Sequence, residues 1–239
     1  MVEMNLKGLL FLFIVIINII DIYLRASTYK PDIHEEKVNI IETIKEPLKD
    51  LKFRKILIFT ALYTLSLNVG IQYLSLFELK YLEISYTYAS ILNVILALVN
   101  ACCGLLWAKI YNKRGWKSII MPMLIAYIFM FILLSNMTMS IKFILPIIFT
   151  LYGIGESAYG LFDHNVIYES AQDKYKTVYL SVNKTVCGII SILVPILTSL
   201  IMTDENNANN IKIIFSLTVV LFVVTTIYYK CNLSNSKNK

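Results

Sequence analysis

An all-α membrane bundle of about seven transmembrane helices is the fold class that this 239-residue sequence predicts, on three observations. Hydrophobic residues make up 57% of the chain and charged residues 16%, against about 45–50% and 25% in soluble domains. Residues 56–77, 84–108 and 118–141 each run without one charged side chain, and about twenty such residues cross a bilayer as a helix. Lys and Arg gather on alternate connections between the apolar blocks, as loops held on one face of a membrane do. Together these observations argue against disorder, a disulfide scaffold, a secreted enzyme and a nucleic-acid-binding domain, despite the net charge of +6.

The first membrane helix is expected over residues 1–24, with GLLFLFIVIINIIDIYL at 8–24 as its apolar run. No small-x-small cleavage pattern closes that run, which instead reaches a charged end at Asp21 and Arg25, so it reads as a retained helix and not a signal peptide. Residues 25–54 form a cytoplasmic loop in which Val38, Ile41, Ile44, Leu48 and Leu51 recur at helical spacing. Pro47 kinks or divides that amphipathic helix. Two readings stand side by side: a helix on the membrane surface tying two bundles together, or a solvated linker with local helicity. A six-helix bundle follows over 55–230, with spans at about 55–79, 84–108, 118–141, 143–162, 178–202 and 211–229, and then a cytoplasmic tail, 231–239.

Charge sets the direction. The stretch 25–55 carries eight basic residues, the turn 109–117 four, the loop 174–184 three and the stretch 230–239 three, against Lys7, Lys80, Lys142 and Lys212 on the other side. The positive-inside rule then puts the N-terminus outside and the C-terminus in the cytoplasm, most simply at the plasma membrane. Tyr81, Tyr86, Tyr88, Tyr111, Trp116, Tyr228 and Tyr229 cluster near the expected span ends, where amphipathic rings favour the headgroup layer.

The turn after the third span reads AKIYNKRGWK, residues 108–117. It resembles the cytoplasmic loop signature of the major facilitator superfamily, with Lys113, Gly115 and Lys117 matching, while Ala108 stands for the usual Gly and Asn112 for the usual Asp. Residues 151–202, with LYGIGESAYGLFDHN and YLSVNKTVCGIISILVPILTSLI, look like the tenth and eleventh helices of such a transporter. The resemblance implies half of a major-facilitator-type fold: the last helix of an N-terminal half, the central loop and the six helices of a C-terminal half.

Within the expected spans, Tyr152, Glu156, Tyr159 and Asp163 follow steps of four, three and four and share one helix face. A carboxylate at mid-membrane costs about 2.5–3.5 kcal/mol on insertion scales, so such residues face a cavity or a partner. Glu156 lies six residues before Phe162, about 9 Å from the expected cytoplasmic end of its span. Lys184 sits at comparable depth on the next helix, so an ion pair with Glu156 is one expectation; Lys184 snorkelling to the interface is the other. Asn68, Gln72, Asn93, Asn100 and Asn183 are candidates to line a cavity or to bond neighbouring helices. Tyr152, Glu156, Tyr159, Asn68, Gln72 and Asn93 are therefore the expected substrate or ion pathway.

No metal site, cofactor or catalytic constellation is expected. His34 and His164 lie far apart, and Cys102, Cys103, Cys187 and Cys231 have no metal or disulfide spacing. A phosphate-cradling nucleotide loop is missing too, so ATP coupling is not expected. The leading function is secondary transport of a small solute, with a coupling proton or cation. The expected partners are membrane lipid and a missing N-terminal half or a second copy of the chain, and not nucleic acid. The alternative is a polytopic scaffold or assembly subunit without transport activity.

Overall fold

A computed structural model of the chain describes residues 19, 47–171, 176–201 and 208–234. The chain divides into two compact units, Met1–Asn39 and Ile40–Lys239, and the long helices belong to the second. Apart from Ile19, the expected first span lies outside the described residues, as do residues 25–46 of the amphipathic segment, with His34, and 235–239 of the tail. The fold is all-helical: the described residues contain no strand, and six helices are long and apolar enough to cross a membrane.

Helix α1, Leu51–Ile71, starts ahead of the expected span because Asp50, in extended backbone, caps it. The Asp50 carboxylate accepts from the Lys52 and Phe53 N–H groups at 2.8 and 3.3 Å, satisfying donors that a helix start leaves open. Residues 47–49, Pro47 among them, are helical, and a break at Asp50 separates them from α1. A short turn, Leu74–Leu76, and a π-helical turn, Phe77–Tyr81, prolong α1. Helix α2, Tyr86–Arg114, is capped by the Ser85 hydroxyl, which accepts from Tyr88 N–H at 3.2 Å. Gly115 ends it at φ 76°, a left-handed value that suits glycine, and its N–H bonds Tyr111 C=O at 2.7 Å. Ala108 is half-buried on α2, and Asn112 and Lys113 are exposed in its last turn; α3, Lys117–Ser135, begins two residues after Gly115.

A 3₁₀ turn, Met139–Ile144, leads into α4, Leu145–Ser170. The sequence placed the end of this span at 162, but the helix continues for two more turns, through Asp163. Helices α5, Lys176–Ile201, and α6, Ala208–Tyr229, complete the bundle, and the latter closes in a π turn, Lys230–Ser234.

Helix α4 packs on α2 and α3, α6 packs on α1 and α3, and α5 packs on α1. Residue pairs between α1 and α5 advance together, Thr60 with Asn183 and Asn68 with Ser191, so these two helices run parallel. Those between α1 and α6 advance in opposition, Lys55 with Tyr228 and Ser66 with Thr225, so that pair is antiparallel. The core is aromatic: Tyr127 stacks on Phe222 with ring centres 5.1 Å apart, and Phe131 lies on the same ring at 5.9 Å.

Gly70 lets α1 approach this core, since a methyl group there would overlap the Phe131 ring and the Thr218 hydroxyl. Gly70→Ala should cost about 1–3 kcal/mol through overpacking, seen as a lower melting temperature in detergent. Gly104→Ala, with nothing within 4 Å of the new methyl, should melt no lower than the parent. Equal melting of the two variants would refute this packing.

Candidate functional site

Three helices, α1, α4 and α5, touch one another pairwise and hold most of the buried polar side chains among the described residues. On α1 the polar residues recur every fourth position, Thr60, Thr64, Asn68 and Gln72, one stripe along about 18 Å of helix. Helix α5 answers with Asn183, Ser191 and Thr198. Thr60 Oγ1 donates to Asn183 Oδ1 at 2.5 Å, Asn68 Nδ2 donates to Ser191 Oγ at 3.3 Å, and Gln72 Nε2 donates to Thr198 Oγ1. Such bonds hold helices together in lipid, where apolar contact offers no driving force between them. Asn183 is fully buried and its Nδ2 has no acceptor, which leaves one donor of the ladder open.

Helix α4 supplies the carboxylates. Glu156 is half-buried and lies near the middle of its helix, about 21 Å from the end at Ser170. It is thus farther from the end of its helix than from the expected span end at 162, because the helix runs on to Ser170. Tyr127 of α3 donates to Glu156 Oε2 at 3.1 Å, and Tyr63 of α1 donates to the Tyr127 hydroxyl at 2.8 Å. The chain Tyr63–Tyr127–Glu156 therefore runs from the fully buried core to the α4 carboxylate. Gly155 makes room for it, since a methyl group there would come within 2.6 Å of the Tyr127 ring. Tyr159 stacks on Tyr63, with ring centres 3.9 Å apart and planes 14° from parallel, and Tyr152 lies 6.2 Å from Tyr127.

Lys184 pairs with Asp163, not with Glu156. The reason is register. Asp163 lies seven residues before the end of α4 and Lys184 eight after the start of α5, so in two successive antiparallel helices they sit level; Glu156 is about 10 Å deeper. The Asp163 side chain is 6% exposed and that of Lys184 49%, so the pair joins a buried anion to a cation at the rim. Tyr159 adds a long hydrogen bond to Asp163 Oδ1 at 3.5 Å.

Of the expected pathway residues, Tyr152, Glu156 and Tyr159 share one face of α4, and Asn68 and Gln72 lie on the polar stripe that bonds α5. Asn93 stands apart: it is exposed on α2 and donates to Ala89 C=O of its own helix at 3.0 Å. Helix α2 meets α4 elsewhere, where Trp107 Nε1 donates to Ile154 C=O at 3.2 Å and a methyl group on Gly153 would lie within 2.9–3.0 Å of Val99 and the Leu96 carbonyl. Sequence reasoning missed Tyr63, Tyr127, Ser191 and Thr198. The four-residue polar step on α1 was available as a signal for the ladder. The two tyrosines carried none, because a lone Tyr in an apolar span reads the same whether or not a carboxylate waits on another helix. Among the described residues no group of three or more His, Cys, Asp or Glu is placed to hold a metal ion.

The profile of the family described as Major Facilitator Superfamily matches residues 8–229. No curated protein and no solved structure matches the chain.

Proposed function

The chain belongs to the major facilitator superfamily, whose profile covers it from residue 8 to residue 229, and from that premise we propose secondary active transport of a small solute along the seam between α1, α4 and α5. One arrangement carries the reading: a mid-membrane carboxylate, Glu156, at the end of a hydrogen-bonded tyrosine chain beside the α1–α5 polar ladder. Carboxylates at this depth are costly in lipid and mark ion or solute routes. Transporters of this kind alternate access by rocking two helix bundles about a site between them. The seam is then one wall of the route, and a second six-helix unit, an N-terminal half or another copy of this chain, supplies the other. Glu156 is the carboxylate that meets the solute or the coupling proton. The bundle sits in the plasma membrane with its C-terminus in the cytoplasm, as the eighteen basic residues on that side against four support.

Cysteine labelling tests both route and orientation, in a background where Cys102, Cys103, Cys187 and Cys231 are serine. Asn68→Cys and Tyr152→Cys should react with an impermeant thiol reagent in open membrane fragments, whereas Ile125→Cys, exposed on α3, should be shielded by lipid. In intact cells Lys142→Cys should label and Arg114→Cys should not. Unreactive Asn68→Cys and Tyr152→Cys would overturn the route, and the reverse cell pattern would overturn the orientation.

A further inference from the structure

We propose that the solute is an organic cation with an apolar body, held by Glu156 beside the rings of Tyr152 and Tyr159. This rests on the seam being the solute route and names the class of solute that the route takes. Away from the helix ends, the described bundle carries three charged side chains, Glu156, Asp163 and Lys184. Lys184 is already used by Asp163, so the seam holds one carboxylate more than it holds cations. The one hydrogen bond that Glu156 accepts among the described residues comes from Tyr127, a neutral donor. A carboxylate with no counter-charge in a low-dielectric site attracts a positive ligand and repels a negative one, and a neutral ligand leaves it uncompensated.

The surroundings narrow the choice of cation. Tyr127, which bonds Glu156, is joined to Tyr63, Tyr152 and Tyr159 in one connected set of rings, with neighbouring centres 3.9 to 6.2 Å apart. The faces of aromatic rings are electron-rich and attract weakly hydrated organic cations. A hydrated metal ion asks instead for six or more oxygen ligands, whereas this corner presents one carboxylate and phenol groups. Tyr152 and Tyr159, on the same α4 face as Glu156, are half-buried, so neither ring is sealed inside the bundle. Tyr63 and Tyr127 are fully buried and hold the carboxylate from behind.

The probe pair is tetraphenylphosphonium and tetraphenylborate, ions of nearly the same size and shape and opposite charge, measured by equilibrium binding to the full chain in lipid nanodiscs, with empty nanodiscs giving the partition background. Saturable binding of the phosphonium alone is expected. Glu156→Gln should weaken it about tenfold or more, as loss of a charged partner does, and Glu156→Asp should keep part of it. Tyr152→Phe should bind within about twofold of the parent, and Tyr152→Leu about fivefold more weakly, because the ring and not the hydroxyl does the binding. If Glu156→Gln fails to fold, the two Tyr152 variants still decide the question. Equal phosphonium binding by Glu156→Gln and the parent, equal binding by the two Tyr152 variants, or saturable borate binding would each overturn the proposal. Reactive cysteines at positions 68 and 152 with no phosphonium binding would overturn the solute class alone, whereas unreactive cysteines would remove the route itself.

Discussion

Lys184→Met should lower the stability of the bundle far more than Asp163→Asn, although each removes one member of the same ion pair. The pair is unequal: the Asp163 side chain is 6% exposed and that of Lys184 49%. Removing the lysine leaves a carboxylate buried between α4 and α5 with only the long Tyr159 bond in support, and breaking a buried pair in this way costs about 3–5 kcal/mol. Removing the carboxylate frees a lysine that is already half outside and can carry its ammonium group to the headgroups, at a cost of about 1 kcal/mol. The double variant, Lys184→Met with Asp163→Asn, should recover most of the loss, since no uncompensated charge then remains. Apparent melting temperatures in detergent would show the order: parent highest, Asp163→Asn and the double variant a little lower, Lys184→Met lowest. Equal losses from the two single changes would mean that the pair is solvated like a surface bridge, and α4 would then have to leave the membrane near 162 as the apolar pattern alone suggested.

That last point shows where the sequence was legible and where it was not. Hydropathy summed along a window locates a span by its uncharged length, and for α2 and α3 this placed the starts within two residues, 84 against Tyr86 and 118 against Lys117, but missed each end by six, 108 against Arg114 and 141 against Ser135. It fails where a charge inside a helix is answered from another helix. Asp163 looked like an interface residue because nothing in its own window neutralises it, and the partner, Lys184, lies across a turn on α5. With α4 running on to Ser170 and Asp163 level with Lys184, Glu156 lies about 10 Å farther along the helix, away from that lysine. At the same end of the bundle the charge of Lys52, Arg54 and Lys55 made the start of α1 look like loop, whereas the Asp50 cap carries the helix back to Leu51. The shared face of Tyr152, Glu156 and Tyr159 was readable from spacing, because it depends on one helix only. The tyrosine chain behind Glu156 joins α1, α3 and α4, and no single-helix pattern encodes it.

Reconstituted by itself into sealed vesicles, the chain should give no saturable solute flux. Burial differs sharply among the helices: 50% of the most apolar stretch of α1 and of α3 is buried within the bundle, against 6% for α2 and 11% for α5. Apolar residues such as Leu98 and Leu105 on α2, or Ile192 and Leu200 on α5, can face lipid without cost, so their exposure alone requires no partner. The polar groups on and beside the same two helices are another matter. Asn93 is exposed on α2, Lys184 is half outside on α5, and Glu156 is only half-buried at mid-depth. Lipid cannot hydrogen-bond to these groups, whereas the facing bundle of a two-bundle transporter, or the water between the two, can. The same facing bundle is what alternating access needs, since a solute site is closed from each side in turn by one bundle moving against another. The purified chain should therefore migrate as an oligomer and show flux no faster than protein-free vesicles. Supplying a matching N-terminal bundle should restore saturable flux, and Glu156→Gln should abolish the restored flux. Saturable uptake by a chain shown to be monomeric in the vesicle would refute the argument, because the six helices would then have to close the route on both sides by themselves.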